Sequence, residues 1–142
     1  MNISKELEKL ISERVYAIKN KDVEKATVRF SGDIILYDVV DPLVFYGIES
    51  LKSRLKSWLD TLSVINNFEI SVKEIKFSND LAYCISLNHI DAINQMGERL
   101  DMWWRETTCY TKDNENWMIT HAHSSVPFNP ETGKASLSLI PV

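Results

Sequence analysis

The chain has 142 residues, which predicts a single domain over residues 1–142, with a core at 4–128 and a tail at 129–142. Lys and Arg total 16 against 20 Asp and Glu, the formal charge is −4, and no basic block occurs, which argues against nucleic acid as a partner. The N-terminus lacks the features of a signal peptide and no apolar run is long enough to cross a bilayer, so we expect a cytoplasmic protein without membrane contact.

Two helices are predicted at the start of the chain. Apolar residues recur at three- and four-residue spacing after Ser4, which predicts an N-cap at Ser4 and an amphipathic helix that ends near Asn20. Asp22 is expected to cap a short second helix, which would present Phe30 on its apolar face and end at Ser31-Gly32.

Short strands and a third helix follow. The segments 34–37 and 44–46 predict two short strands separated by a turn. A helical stripe of large apolar residues from Ile48 to Leu62, preceded by Gly47, predicts the third helix.

The second half of the chain predicts an antiparallel sheet, with strands at 68–77, 81–93, 98–111 and 117–126. Apolar alternation slips by one position between Val72 and Ile75, which indicates a β-bulge. Helices first and a sheet afterwards is the segregated α+β pattern. Cys84 and Cys109 lie in different strands without metal-ligand spacing, so we expect buried free thiols, or a disulfide if the strands are neighbours.

The last predicted strand contains a row of polar side chains. Because side chains alternate along a regular strand, one face is expected to hold every second residue, namely Ile119, His121, His123 and Ser125. Titratable groups in a row on an apolar strand predict the wall of a polar-lined cavity, where imidazoles can exchange protons near neutral pH. The alternative is that the histidines are structural.

The neighbouring strand adds charge to this wall in one register. If residue numbers in the last hairpin pair with an even sum, Arg105 and Thr107 lie opposite the two histidines. The arginine would then bind an anionic group of a ligand, or form a structural ion pair with Asp38. A shift of one residue would place Trp104 and Glu106 there instead.

Several short segments, in this order, resemble one known family: Phe30-Ser31-Gly32-Asp33 leading to Tyr37-Asp38, Gly47-Ile48, Arg105-Glu106-Thr107, and Trp117-Met118-Ile119-Thr120-His121-Ala122-His123-Ser124-Ser125-Val126-Pro127. From Ser4 to about Phe128 the chain resembles the SnoaL-like, ketosteroid-isomerase-like branch of the nuclear transport factor 2 superfamily. The resemblance implies a cone-shaped layer of three helices on a strongly curved, mainly antiparallel sheet. It also implies an internal pocket for a small molecule and a homodimer formed through the outer sheet face.

The resemblance also implies positions for site residues. Asp38 falls where the ketosteroid isomerases have their catalytic base, and Tyr16, or Val15 in another alignment, falls near the phenol that binds the oxyanion. The protonated acid that those enzymes hold on the penultimate long strand is missing, because Thr107 or Thr108 falls at its position. The residues alone favour a different interpretation, in which Asp38 is a turn residue that bonds its own backbone.

Aromatic residues are numerous enough to line a pocket for a flat or cyclic ligand, and Trp58, Trp103 and Phe128 are our candidates. Trp103 and Trp104 are adjacent on a strand and therefore face opposite ways. One can line the cavity while the other meets a second subunit.

These residues fit three functional classes. The first is an acid–base isomerase, cyclase or dehydratase for an apolar or aromatic carbonyl compound, with Asp38 as the base. Tyr16 or His121 would bind the oxyanion, and His123 would orient or protonate the substrate. The second is a non-catalytic ligand-binding or protein-association module. The third is a metal enzyme built on His121 and His123; because Arg105 would repel a cation, we expect no metal and no cofactor.

Overall fold

Three helices and one six-stranded sheet make up residues 2–142, the part of the chain that the computed structural model describes. The helices are α1 (Ile3–Lys19), α2 (Val23–Thr27) and α3 (Ile48–Asp60). The strands are β1 (Phe30–Tyr37), β2 (Phe45–Tyr46), β3 (Leu62–Phe77), β4 (Leu81–Asn94), β5 (Arg99–Asp113) and β6 (Asn116–Ser125). The predicted α+β class and order of elements are confirmed.

Side-chain caps set the starts of the first two helices. Oδ1 of Asn2 accepts a hydrogen bond from the Lys5 amide at 2.8 Å, so the cap of α1 is Asn2 and the prediction of Ser4 was wrong. Oδ1 of Asp22 accepts from the Lys25 amide at 3.0 Å, which confirms the predicted cap of α2.

Two boundaries differ from the sequence pattern because tertiary pairing claims the residues involved. α2 ends at Thr27, and Phe30 lies in β1, where it pairs with Ile119 of β6. β3 begins at Leu62, immediately after α3, because its backbone already pairs with Asn94 of β4. Local helical periodicity cannot anticipate either pairing.

The sheet has the strand order β2-β1-β6-β5-β4-β3, and all its pairs are antiparallel except β1 with β6. β3 and β4 lose register between Val72 and Glu74, which confirms the predicted bulge. Because bulges bend a strand, they help to curve this open sheet around the helices. The side of the sheet that the helices cover is called the concave face below, and the opposite side the convex face.

Another bulge, which the sequence pattern did not predict, lies in β6. Cys109 pairs with His121 and the next residue, Tyr110, pairs with Ile119, so Thr120 is an extra residue. The inward positions therefore change phase, from Trp117 and Ile119 before the bulge to Ala122 and Ser124 after it, all of which are buried. The expectation that Ile119 shares a face with His121, His123 and Ser125 was wrong for this reason.

The core lies between the helices and the concave face. Within residues 2–142 its apolar side chains form two clusters, one around Leu7, Ile34 and Trp117 and the other around Leu59 and Ile90. Burying such side chains contributes about 1.5–3 kcal/mol each before the loss of chain entropy is counted.

Both cysteines are free, as predicted. Cys84 is buried on the concave face, whereas Cys109 is half-buried on the convex face. Their strands are neighbours, but Cys109 pairs with Tyr83 and so lies diagonal to Cys84, on the other side of the sheet. The two thiols therefore cannot meet in a disulfide.

After β6 the chain has little regular structure. A single bridge joins Phe128 to Ala135, and no strand follows it among the described residues. Among residues 2–142, no helix is both long enough and apolar enough to cross a membrane.

Candidate functional site

A cavity of about 160 Å³ lies between the helices and the concave face. Its walls are mostly apolar and aromatic: Ile18, Phe30, Leu36, Leu51, Leu55, Trp58, Phe68, Ile90, Leu100, Met102 and Trp104. Trp58 and Trp104 meet edge to face with ring centroids 6.1 Å apart. Trp58, which the sequence offered as a pocket residue, lies in this lining, and the walls favour a flat apolar group.

One end of the cavity is polar. We call Arg14, Asn88, Glu106 and Ser124 the polar floor, because all four line the cavity and lie close together. Nη2 of Arg14 donates to Oε1 of Glu106 at 2.9 Å, and the hydroxyl of Ser124 donates to Oε2 at 3.3 Å. The Arg14 and Glu106 side chains are only 11% and 10% exposed, so the ion pair is nearly removed from water.

Strand register brings the floor residues together. Glu106 of β5 lies directly between Ser86 of β4 and Ser124 of β6, so three polar side chains cross the concave face in one line. The hydroxyl of Ser86 donates to Oδ1 of Asn88 at 2.8 Å, which orients that amide beside the floor. Glu106 and Ser124 are cross-strand neighbours, and they are close enough to hydrogen-bond.

Arg14 reaches the floor from α1. The buried residues Leu7, Ile11 and Ile18 lie at helical spacing on one face of α1, and Arg14 interrupts that face. Its guanidinium also lies over the Phe30 ring, 5.7 Å from the centroid. A cation in this position is stabilised by the carboxylate of Glu106 and by the aromatic face.

The two charges of the floor hold each other ionised. Burial acts to raise the pKa of Glu106, but the charge and hydrogen bond of Arg14, with hydrogen bonds from Asn88 and Ser124, lower that pKa below its ordinary value. Burial acts to lower the pKa of Arg14, and Glu106 more than offsets this, so the pKa is raised. The floor is therefore a charged pair and not a protonated acid beside a neutral base.

A second ion pair lies nearer to solvent. Nε of Arg54 on α3 lies 2.9 Å from Oδ2 of Asp38, with the side chains 21% and 17% exposed. The N–H of that nitrogen does not point at the oxygen, so the contact is electrostatic without an aligned hydrogen bond. We call Asp38 and Arg54 the rim pair, since both line the cavity and are more exposed than Arg14 and Glu106.

The parallel pairing of β1 with β6 places Asp38 beside the floor. Tyr37, the last residue of β1, pairs with His123, so the next positions along the two strands, Asp38 and Ser124, face the cavity together. Oδ1 of Asp38 also accepts a hydrogen bond from the Val39 amide at 2.6 Å. Asp38 is therefore a turn residue that bonds its own backbone, and it also lines the cavity.

Most other predicted site residues lie outside the cavity lining. Beyond the bulge at Thr120, His121, His123 and Ser125 face the convex side, and Nδ1 of His121 donates to the Ile35 carbonyl at 2.6 Å. The Tyr37 ring packs edge-on against both imidazoles.

Beyond the bulge, the last hairpin has the predicted even pairing sum, but its register lies two residues from the predicted one. Arg105 pairs with Ser125, and Thr107 with His123, on the convex face. The residues of β5 that face inward are Trp104 and Glu106, although no one-residue shift of register occurs there. The apolar positions of β5 that contact the helices have even numbers, and this tertiary contact selects the face.

The three remaining candidates do not reach the cavity either. Trp103 stacks on His89 with ring centroids 4.5 Å apart on the convex face. Tyr16 is 70% exposed on the outer side of α1, and Phe128 is 65% exposed after β6. Helical phase explains Tyr16, because the inward positions of α1 in this turn are Arg14 and Ile18.

Sequence reasoning missed Arg14 and Asn88 as cavity residues. The available signal was a polar residue within an apolar periodic face. Arg14 interrupts the stripe of α1, and Asn88 follows Ser86 in the inward row of β4. Glu106 likewise interrupts the inward row of β5. A charged residue on each of two inward faces predicts a buried pair once the faces are known to meet.

No group of three or more His, Cys, Asp or Glu side chains within residues 2–142 is arranged to hold a metal ion. His89, the third histidine, is bound to Asp101, with Nε2 and Oδ1 2.6 Å apart.

Comparison with known proteins bears on family and fold. The SnoaL-like domain family matches residues 7–129, and no curated protein sequence matches significantly. A nuclear transport factor 2-like protein of unknown function from Pseudomonas putida KT2440 superposes with a TM-score of 0.81 at 23% identity, over 96% of this chain and 95% of that one. A ketosteroid isomerase-like protein from Erwinia carotovora atroseptica SCRI1043 gives 0.72 at 18% identity, over 83% and 91%. A nuclear transport factor 2-like superfamily protein from Salmonella enterica serovar Typhimurium LT2 superposes with a TM-score of 0.74 at 17% identity, over 93% of this chain and 96% of that one.

Proposed function

The chain belongs to the SnoaL-like family, and from this premise we propose that it is a small-molecule pocket protein of ketosteroid-isomerase-like type. We propose further that it performs acid–base chemistry on an apolar or aromatic carbonyl compound. The supporting observation is the cavity itself, whose apolar walls join a carboxylate at the rim, Asp38, to hydrogen-bond donors on the floor.

The size of the cavity limits the substrate. A cavity of about 160 Å³ is close to the volume, about 150 Å³, of an engineered protein cavity that binds benzene. The cavity therefore encloses about one substituted ring of the substrate. The edge-to-face pair of Trp58 and Trp104 provides the apolar surface for such a ring.

The proposed step is proton abstraction next to the carbonyl. Asp38 takes the proton, the C–H bond breaks, its electron pair forms a carbon–carbon double bond, and the π pair of the carbonyl moves to oxygen to form an enolate. Return of the proton to another carbon completes an isomerisation. Arg54 and the Val39 amide each occupy one carboxylate oxygen of Asp38, and each oxygen keeps a further lone pair for the proton.

The developing oxyanion would lie on the floor. Arg14 and Ser124 line that end of the cavity and have N–H and O–H groups that can stabilise negative charge. Glu106 is ionised, so it does not serve as the protonated acid that the ketosteroid isomerases use. Tyr16, His121 and His123 have no part in this proposal, because none of them lines the cavity.

Hydrogen–deuterium exchange tests the proposal without knowledge of the natural substrate. The protein is incubated in D₂O with cyclohexanone, cyclohexenone and phenylacetaldehyde, and NMR measures deuterium incorporation next to the carbonyl. Loss of general-base catalysis in Asp38→Asn should slow exchange by about 10²–10⁴-fold. Asp41→Asn is the matched control, because Asp41 is an exposed turn carboxylate close in sequence that does not line the cavity. Unchanged exchange in Asp38→Asn would remove Asp38 from the chemistry.

A non-catalytic ligand-binding module is the second candidate. The observation that favours it is the ion pair with Arg54, which already engages Asp38 without a ligand. In that case the ring compounds bind, but the wild-type protein exchanges no protons above the solution rate. Binding measured by tryptophan fluorescence beside the exchange assay separates the two functions.

A homodimer is part of the same proposal. The convex face exposes Ile35, Tyr37, Tyr83 and Ile85, which gives a second copy an apolar surface to contact. Light scattering on a size-exclusion column should give twice the chain mass, and Ile85→Asp should reduce it; a monomeric mass for the wild type would refute the dimer. A cytoplasmic location and the absence of nucleic-acid partners stay predictions.

A further inference from the structure

The charges that line the cavity are balanced. Among the described residues, the charged side chains of the lining are Arg14, Asp38, Arg54 and Glu106, which form two opposite pairs. An ionised ligand would bring an unmatched charge into a space with mainly apolar walls, and burial of an unpaired charge is strongly unfavourable. An anion would also approach Glu106, and a cation would approach Arg14. Charge balance therefore favours an uncharged ligand.

The floor offers a donor and an acceptor side by side. A guanidinium has five N–H groups, and Arg14 gives one of them to Glu106. A carboxylate has about four acceptor sites, and Arg14 and Ser124 use two of those on Glu106. Arg14 thus keeps free N–H donors and Glu106 keeps a free acceptor site. The two groups are adjacent, because Nη2 of Arg14 and Oε1 of Glu106 lie 2.9 Å apart.

We propose that the cavity selects an uncharged, single-ring compound that has a hydrogen-bond acceptor next to a donor, as in a carboxamide or a hydroxy-carbonyl group. Its acceptor lies on Arg14, its donor lies on Glu106, and its ring lies against the Trp58–Trp104 pair. This inference rests on the proposed function only in using the same cavity and the same carbonyl class. It adds the charge state of the ligand and the residues that recognise it.

Four isosteric probes separate the possibilities: benzamide, benzoate, benzamidine and acetophenone. All four have one ring and the same number of heavy atoms. Benzamide is neutral and has both a donor and an acceptor, benzoate is an anion, benzamidine is a cation, and acetophenone is neutral with an acceptor alone. Binding is followed by the fluorescence of the cavity tryptophans and by saturation-transfer NMR. Benzamide should bind at least about tenfold more tightly than either ion, and acetophenone should bind more weakly than benzamide by about three- to tenfold. Tighter binding of benzoate or benzamidine, or no binding of any probe, would overturn the proposal.

Single substitutions of the floor should change the preference in opposite directions. Glu106→Gln leaves the cation of Arg14 unmatched, so benzoate should become the preferred probe; Arg14→Gln leaves the carboxylate unmatched, so benzamidine should become preferred. A pair that only stabilises the fold would lower the melting temperature without this reciprocal switch. Glu115→Gln is the matched control, because its side chain is 95% exposed and far from the cavity lining.

The outcomes remain informative if a floor variant does not fold, because the ranking of probes by the wild-type protein already supports or overturns the inference. Failure of the proposed function is a separate result. Probe selectivity without proton exchange would refute catalysis and keep the ligand class, whereas proton exchange with a preference for benzoate would keep catalysis and refute the ligand class.

Discussion

The two faces of this sheet each have an arginine–carboxylate pair, and they differ in almost every physical respect. On the concave face, Arg14 and Glu106 lie 2.9 Å apart and are nearly buried. On the convex face, Arg99 and Asp91 lie 3.3 Å apart, and the arginine is 66% exposed. The comparison shows that a charged residue in a strand indicates a site only when its face is known. Water solvates the exposed arginine of the convex pair, whereas the charges of the concave pair are stabilised by each other and by neighbouring polar groups.

The histidines give the same lesson. His121 and His123 were the most conspicuous feature of the sequence, yet they lie on the convex face, with local partners in Ile35 and Tyr37. The less conspicuous Asn88 lines the cavity. The imidazoles were candidate site residues because of their chemical type. The amide of Asn88 is a candidate site residue because it is buried on the concave face.

The largest expected difference between the faces is in stability. Arg14→Met should lower the free energy of unfolding by about 3–5 kcal/mol, because it leaves the buried carboxylate of Glu106 without its cation. Arg99→Met should have an effect near the limit of measurement, since exposed pairs contribute little. Urea denaturation followed by tryptophan fluorescence measures both. Equal effects of the two substitutions would contradict the proposed contrast between the faces.

Acid sharpens the comparison further, because it titrates the concave carboxylate. The pKa of Glu106 is lowered in the folded protein, so its stabilising contribution is complete above the unfolded value of 4.5 and is lost as the pH falls through the lower folded pKa. The double variant Arg14→Gln, Glu106→Gln should therefore lose less stability than the wild type between about pH 4.5 and pH 2. Urea midpoints across that range test this, and parallel pH curves for the two proteins would refute it.

The smallest expected effect concerns the two thiols. Burial raises the pKa of Cys84 on the concave face to about 11, with Arg14 opposing the shift and Glu106 adding to it. Burial also raises the pKa of Cys109, which is half-buried on the convex face. Iodoacetamide at pH 8 should alkylate Cys109 at least about tenfold faster than Cys84, as followed by mass spectrometry. Both should react alike in denaturant, and faster labelling of Cys84 in the folded protein would mean that it is not sequestered.

Much of the fold was predictable because its signals are local. The stripe of α3, the cap at Asp22 and the phase slip near Val72 each involve residues close in sequence, and the structure confirms all three. The site was predictable only in part. Asp38 and Trp58 line the cavity, whereas Arg105 and Trp103 lie on the convex face, because the helices pack against the even-numbered side chains of β5. His121 and His123 lie on the convex face because of one unpredicted extra residue in β6.

The sequence by itself determined the order of helices and strands, the α+β class and the chemical groups available, because capping, periodicity and turn chemistry act over a few residues. Only the tertiary structure decided which groups meet. Arg14 and Glu106 are 92 positions apart, and their contact depends on α1 covering one face of β5 and not the other. Side chains alternate with a period of two, so a single bulge such as that at Thr120 exchanges the inner and outer residues of a strand. That exchange turned the histidines away from the cavity and placed Ser124 against it.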